Sequence, residues 1–570
     1  MGASLCKPDE QPIGCAASTV HACHFPLWAV KVSDFMQMRG APEPHNVLQE
    51  KGVLHQYYPG MFVIFVSHQW LSSVHPDPQG AQMRVLQKAL AGVIDGTVQI
   101  TENIVAHSYD EISLASDTQK RIADAFLFFD WFAIPQITAR TPGVNEETTK
   151  TDAALAVQSI PAYVELCDLF LALVPELTHK DSAQRVNYTT WMSRGWCRAE
   201  LWCRLLSNKS DTSVIVAYSA TEAEFMFPLD WQNRSIVDGD FTVEADRTEV
   251  VRLGEMAVES KIRHLQDRGP LSHYRFWAAL CPNLLRQQRK WSEMDAFLRH
   301  FKFASLREAV QDDTGMNAVM CAVFSGDTNM LRSLAGSRAN MNHTLEGMSE
   351  LGYYDTQTAL MAATKSRQDV DVLRVLLECR ADVNGCARTG LTAIFLCRTP
   401  EHVKILLEHR ADMPDYVLAG AASFACPETV KALISHRCDA SKAEVLHSVA
   451  LMSRSNGRAL ETAKLLLAHR ADVNEKHTPM GELIWYYRKA RFRAAVVGLS
   501  NCSMSTRFWA ARSGISPLGV AALVGHEQLV QLFLEYGAEP FANDSGHLPE
   551  DLARCSHHHH LLPMLSTFAT

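Results

Sequence analysis

A short phrase recurs through the second half of the chain and limits what that half can fold into. "SRANMN" ends at Asn342, "CRADVN" at Asn384, "HRADM" at Met413, "HRCDA" at Ala440, "HRADVN" at Asn474 and "YGAEP" at Pro540. The alanine or cysteine inside each phrase stands at 339, 381, 411, 438, 471 and 538, giving separations of 42, 30, 27, 33 and 67 residues. These fall close to one or two multiples of a period of roughly 33 residues. A leucine-rich stretch with helical spacing precedes each phrase. Self-similarity on this scale marks units that cannot bury an apolar face alone and must stack on their neighbours. Ala322, Ala363 and Ala522 let paired helices approach closely, and Leu376, Leu377, Leu406, Leu407, Leu466 and Leu467 supply the stripe that adjoining units bury.

Inside each unit the order is a turn, a short helix, a second turn, a helix with paired leucines and the recurring phrase. "TGMNAVMCAVFSGDTNMLRSLAGSRANMN", "TQTALMAATKSRQDVDVLRVLLECRADVN" and "SGISPLGVAALVGHEQLVQLFLEYGAEP" all follow it. This order resembles the ankyrin family from Gly315 to about Ala553, and the resemblance implies an α-solenoid whose surface binds protein partners. The fourth unit, "YVLAGAASFACPETVKALISHRCDA", is degenerate. An insertion near residues 475–512 carries Trp485, Tyr486, Tyr487, Arg488, Lys489, Arg491 and Arg493. Aromatic and basic residues so interleaved suit an extended repeat helix packing on its neighbour, a contact with a protein partner, or nucleic-acid binding.

The first half reads differently. "MFVIFVS" (61–67), "AFLFFDW" (125–131), "DLFLALVP" (168–175) and "TSVIVAYS" (212–219) are continuous apolar runs of strand length. They alternate with helix-spaced segments such as "QMRVLQKALAGV" and "GWCRAELWCRLLS". Runs of this kind suit a parallel sheet covered on both faces, so the expectation is a doubly wound α/β domain. Ligands in such sheets sit where strand carboxyl ends meet the following loops, which here carry Ser67, His68, Trp70 and Asp130. The third loop leads into "WMSRGWCRAELWCRL", Trp191 to Leu205, which reads as helical.

"FVIFVSH", "FLFFDWFAIPQ", "DLFLALVP" and then "SRGWCRAEL" resemble the Toll/interleukin receptor (TIR) domain family, over about 160 residues. The first-strand loop "SHQWLSSVHPDPQG" lacks the charged pattern usual in that family. Together with the repeats, the chain resembles a group of TIR-like proteins from protists. The resemblance implies a TIR/flavodoxin-like fold and self-association. In members that cleave NAD it implies a catalytic glutamate at Glu200, with Ser193 and Trp196 in the same motif and NAD as substrate rather than resident cofactor.

The residues permit this chemistry. Trp196 and Glu200, four apart, share one helical face and would present an aromatic plane and a carboxylate to a cationic nicotinamide ribosyl group. A carboxylate stabilises the oxocarbenium character that develops as such a bond breaks. Ser193, as N-cap, would leave helix N–H groups for phosphates. An ordinary reading stands beside it, in which Glu200 pairs with Arg204 on the same helix. Cys197 or Cys203 paired with His68 is a further nucleophile arrangement, and Asp130 reads either as a turn residue or as a binding-loop residue.

With 570 residues and a formal charge of −9, the chain has no basic stripe and no apolar run of membrane-spanning length, so nucleic acid and transmembrane roles are not expected. Its N-terminus lacks a secretory signal pattern, which predicts a cytoplasmic protein with reduced cysteines. Gly2 and Cys6 partly fit acylation patterns that would add membrane association. Cys15, His21, Cys23 and His24 have no regular metal-ligand spacing, and no metal site is expected. The expected organisation is an N-terminal segment (1–58), a TIR-like domain (59–225), a helical connector and cap (226–312), the repeats (313–555) and a disordered tail (556–570) holding His557 to His560. The function so read is an intracellular signalling adaptor, or an NAD glycohydrolase working through Glu200.

Overall fold

The computed structural model describes residues 22–103, 112–139, 146–232, 234–287, 291, 293–441, 444–478 and 483–566. Gly2, Cys6, Cys15 and His21 lie outside them. The apolar runs form strands, within a larger sheet than the sequence suggests. Its strands are β1 (Trp28–Lys31), β2 (Leu54–Gln56), β3 (Val63–His68), β4 (Phe126–Phe129), β5 (Leu169–Leu173), β6 (Ile215–Ser219) and β7 (Glu222–Phe225), in the order β2-β1-β4-β3-β5-β6-β7.

The four expected strands are the parallel centre, β4-β3-β5-β6. The sheet as a whole is mixed, which corrects the all-parallel expectation: β1 runs antiparallel to β2 and β4, and β7 antiparallel to β6. These flanking strands have four residues or fewer, too short for a run or an alternation to show in the sequence. Helices cover both faces. On one, Met83, Leu86 and Leu90 of α1 (Ala81–Asp95) pack over Ile64, Val66 and Leu127. On the other, α2 (Ile160–Leu166) and residues 195–205 cover Phe65, Phe128 and Phe170, whose rings stack at 4.6 and 5.2 Å.

The stretch from Trp191 to Leu205 is two helices, α3 (Tyr188–Ser193) and α4 (Gly195–Leu205), separated by an extended Arg194. Asn187 caps α3 by accepting the Thr190 N–H, at 3.2 Å. The break holds because a connector strand crosses it: the Gly195 N–H donates to Asp240 O (2.9 Å) and the Asp240 N–H to Ser193 O (2.7 Å). Only glycine fits there, since a Cβ on Gly195 would stand 2.0 Å from the Phe241 ring. Beyond it, α5 (Asp246–Arg268) leads to α6 (Leu271–Leu284), which caps the open first repeat. Phe276 meets Phe324 at 5.1 Å, and the Asn283 amide donates to Phe324 O at 3.0 Å.

The repeats are helix pairs, at 318–325 with 328–336, 359–365 with 370–378, 417–424 with 427–435, 445–451 with 459–468, and 517–524 with 527–535. In the third unit a 3-10 turn (Ile394–Leu396) replaces the first helix before Pro400–Glu408. Ala322, Ala363 and Ala522 are fully buried at the close approaches, as are Leu376, Leu406 and Leu466. Asn317, Thr358 and Ser516 cap first helices, and Asp327, Asp369 and Thr399 cap second ones.

The recurring phrase is a helix stop. In each of six units its Ala or Cys N–H reaches five residues back, as Ala381 does to Leu376 O at 2.9 Å and Ala538 to Phe533 O at 2.9 Å, the hydrogen bond of a Schellman cap. Its asparagine ties neighbours: Asn342, Asn384 and Asn474 side chains accept the N–H groups of Asp382, Asp412 and Glu539 at 2.7 to 2.8 Å. The insertion forms α7 (Leu483–Val497), which packs on the helix Met504–Ala511. Residues 556–566, expected to belong to a disordered tail, are ordered. Leu561 and Leu565 are buried, and Gly525 packs so closely on the His558 ring that only glycine fits beside it. Among the described residues no helix is long and apolar enough to cross a membrane.

Candidate functional site

The carboxyl ends of β3 and β4 bring Ser67, His68, Trp70 and Asp130 together, and α4 adds Glu200. The Ser67 hydroxyl donates to Glu200 Oε2 at 2.5 Å and accepts the Trp191 indole N–H at 3.0 Å. Asp130 holds the other half, accepting His68 Nε2 and the Trp70 indole N–H, both at 2.8 Å, together with the Trp131 N–H at 2.6 Å. His68 stacks on Phe129, and its Nδ1 is buried without a hydrogen-bond partner.

Electrostatics separate the two carboxyls. Burial pushes the Glu200 carboxyl up to about 8; the Ser67 hydrogen bond opposes this, Asp130 adds to it and His68 opposes it. Burial also acts on Asp130, but the His68 charge and the hydrogen bonds from His68, Trp70 and Trp131 outweigh it and hold that carboxyl low. Asp130 in turn raises His68 against its burial. One carboxyl is therefore protonated near neutrality and its neighbour ionised, the pattern by which environment assigns acid and base roles.

Other expected members stand elsewhere. Glu200 does not pair with Arg204, whose guanidinium donates to the carbonyls of Ser213, Cys167 and Asp168. The Trp196 indole donates to Asp246 of α5 at 2.9 Å, and the indole bonded into the cluster is Trp191 instead. Trp191 lies on α3, across the break, so helical spacing from Glu200 could not reveal it. Ser193 is not an N-cap: it ends α3, and its hydroxyl donates to Thr190 O at 3.0 Å. The crossing strand takes the Gly195 N–H, so a phosphate does not find an open helix start there. Cys197 touches the His68 carbonyl, and burial holds its thiol and that of Cys203 far above the range of a nucleophile.

The repeats have two edges with opposite fates. The turns between paired helices face the N-terminal half. Arg454 makes a two-pronged pair with Glu222 at 2.6 and 2.9 Å, Arg185 pairs with Glu527, and the Trp291 N–H donates to Asp327 at 2.9 Å. The loops at the other edge are open. There Arg338, Arg380, Arg410, Arg437 and Arg470 stand at φ between 65° and 74°, where Gly537 stands in the last full unit. A side chain in this left-handed region costs about 1 kcal/mol relative to glycine. All five arginines are exposed, and their guanidinium groups make no hydrogen bond or ion pair among the described residues. The aspartates Asp382, Asp439 and Asp472 accept N–H groups of their own loops.

Beyond them, α7 turns Trp485, Phe492 and Val496 outward, exposed by 55, 74 and 68 %, while Tyr486 packs on Trp509.

Two family models agree with the repeat geometry. A model of three ankyrin repeats matches residues 319–417, and a single ankyrin-repeat model matches 513–545. No curated protein matches the chain. Among solved structures, the ankyrin repeat domain of human ASB11 is similar at 20% sequence identity, over 42% of this chain and 95% of that one, with a TM-score of 0.30. The helical region of this protein is an ankyrin-repeat array, a class of surface suited to binding other proteins. It is joined to an α/β region with a mixed sheet.

Proposed function

We propose that this protein is a signalling adaptor whose ankyrin array receives an acidic, extended segment of another protein along its loop edge. The observation that carries the reading is the row of five exposed, unpaired arginines, each in a backbone conformation that glycine would adopt at lower cost. A guanidinium offers planar, paired donors to a carboxylate, and repeats present such groups at regular intervals along an extended partner. The turn edge, engaged by the N-terminal half, is the less accessible of the two.

A fluorescent peptide rich in Glu and Asp tests this by anisotropy. The parent chain is expected to bind in a salt-sensitive manner, and the triple variant Arg380→Gly, Arg410→Gly, Arg437→Gly to lose that binding while remaining folded. Equal binding by both, or none by the parent, removes the reading. We assign self-association to the α/β region, read as TIR-like. That reading is supported by the order second-first-third-fourth of its parallel strands, the order of flavodoxin-like sheets, and by "SRGWCRAEL". Sedimentation of the isolated chain across concentrations tests it.

The Glu200 cluster favours a second reading, NAD glycohydrolysis. A carboxyl raised to about 8 and a neighbouring ionised carboxylate stand at the strand ends where ligands bind. A cationic nicotinamide ribosyl group beside Glu200 would draw off its proton and leave the carboxylate to stabilise the developing oxocarbenium ion. Nicotinamide release by the parent but not by Glu200→Ala supports this second reading, and release by neither excludes it for the isolated chain.

A further inference from the structure

A cavity of about 460 Å³ lies on the seam between the N-terminal half and the repeats, within the size range of small-molecule sites, roughly 300–1,000 Å³. Four arginines line it: Arg234 from the connector, and Arg367, Arg398 and Arg458 from the repeats. Their charges are unevenly matched. Arg458 is neutralised by Glu428 and Glu461. Arg234, Arg367 and Arg398 make no side-chain hydrogen bond or ion pair among the described residues. The one carboxylate in the lining, Asp230, already accepts the Tyr188 hydroxyl at 2.9 Å.

Arg398 is the decisive member. It is only 3 % exposed, and its Nε and Nη1 are buried without partners. Its guanidinium stands 4.7 Å over the Phe424 ring, which fixes the plane without satisfying the donors. Burial and then the charge of Arg367 pull Arg398 down to about 10. Burial and then the charge of Arg398 pull the neighbouring Lys365 down to about 7, and its amine donates to a backbone carbonyl, Gly352 O. A buried charge with no partner costs several kcal/mol, and here the buried Arg398 faces the charge of Arg367.

We propose that this seam cavity binds a small anion bearing more than one phosphate group. Each phosphate supplies more than one negative charge and several acceptor oxygens, which suits converging guanidinium forks better than a single carboxylate does. Arg367 is exposed, so the cavity opens to solvent at its rim. Because Arg234 belongs to the connector and Arg367 and Arg398 to successive repeats, the bound anion ties the two halves together and stabilises the folded chain by linkage.

The test uses the full chain in chloride buffer free of phosphate, with inorganic pyrophosphate, ATP and inositol hexakisphosphate as probes in calorimetry and thermal melting. Saturable binding by at least one probe, with a raised melting temperature, is expected. Arg367→Ala and Arg234→Ala should each weaken it by about tenfold or more, the loss of a charge-assisted hydrogen bond. Lys88→Ala, exposed on α1 of the α/β region, should leave it unchanged. The ranking of probes separates the sources: preference for ATP indicates a nucleotide, for the inositol compound a sugar polyphosphate, and equal binding a polyphosphate group alone. Absence of binding at millimolar probe overturns the proposal. So does binding that survives both Arg367→Ala and Arg234→Ala, or that is lost in Lys88→Ala.

Discussion

Arginines on the two edges of the same repeats meet opposite surroundings. On the loop edge Arg338, Arg380, Arg410, Arg437 and Arg470 stand in water at equivalent positions, at a small backbone cost. On the turn edge Arg398 is buried and Arg454 nearly so, because the N-terminal half packs there. A charge in water is stabilised by solvent and stays available to a partner. A charge taken out of water needs a counter-charge within the molecule or from a ligand. Arg454 finds Glu222 in its own chain, whereas Arg398 finds none.

The largest expected effect is at Arg454. Removing one member of its buried pair, as in Arg454→Met or Glu222→Gln, should lower stability by about 3–5 kcal/mol, read from urea unfolding. The double variant Arg454→Met, Glu222→Met should be less damaged than either single one. If the single variants unfold like the parent, the seam is not the buried interface described here.

The Glu200 carboxyl sharpens the comparison from the acid side, being a half-buried acid whose hydrogen-bond donor is a hydroxyl rather than a guanidinium. Its folded value, about 8, lies above the ordinary 4.5, so between these the folded chain holds a proton that the unfolded chain releases. This contribution to stability is full below about pH 4.5 and is lost as pH rises through about 8. Glu200→Gln should flatten the fall in stability over that window, by up to about 1.4 kcal/mol per pH unit. An unchanged slope would place the ionisation elsewhere.

Effects on the open edge should be smaller. Each Arg→Gly change at 380, 410 or 437 should raise stability by about 1 kcal/mol, by relieving the left-handed backbone, while weakening acidic-peptide binding. A stability loss there would mean that these side chains make contacts which the geometry does not show. Phe492→Ala on α7 should move the melting free energy by no more than about 0.5 kcal/mol, because that ring is 74 % exposed.

The repeats were legible because each unit restates the same physical requirements. Helix spacing, capping residues, small residues at close approaches and the stop phrase all act over a few positions, and they recur. The central strands were legible for a similar reason, since burial on both faces demands continuous apolar runs such as "FVIFV" and "FLFF". The flanking strands β1, β2 and β7 were not, because four residues or fewer carry no period.

The site was legible only in part. Ser67, His68, Trp70 and Asp130 were placed at strand ends by topology alone, and the structure brings them to Glu200. Trp191 in place of Trp196, and the loss of Ser193 as a cap, follow from the break at Arg194. That break exists because Asp240 and Phe241, more than forty residues further on, cross it.

By itself, then, the sequence determined the repeat period, the helix ends, the parallel centre of the sheet and the arginine inside five of the six phrases, all set by interactions within a few residues or by burial of a single element. Only the tertiary structure decided which edge of the array meets water, which arginines lose it, and which indole reaches Ser67. Those outcomes depend on desolvation and on partners contributed by distant segments, and neither is written in local spacing.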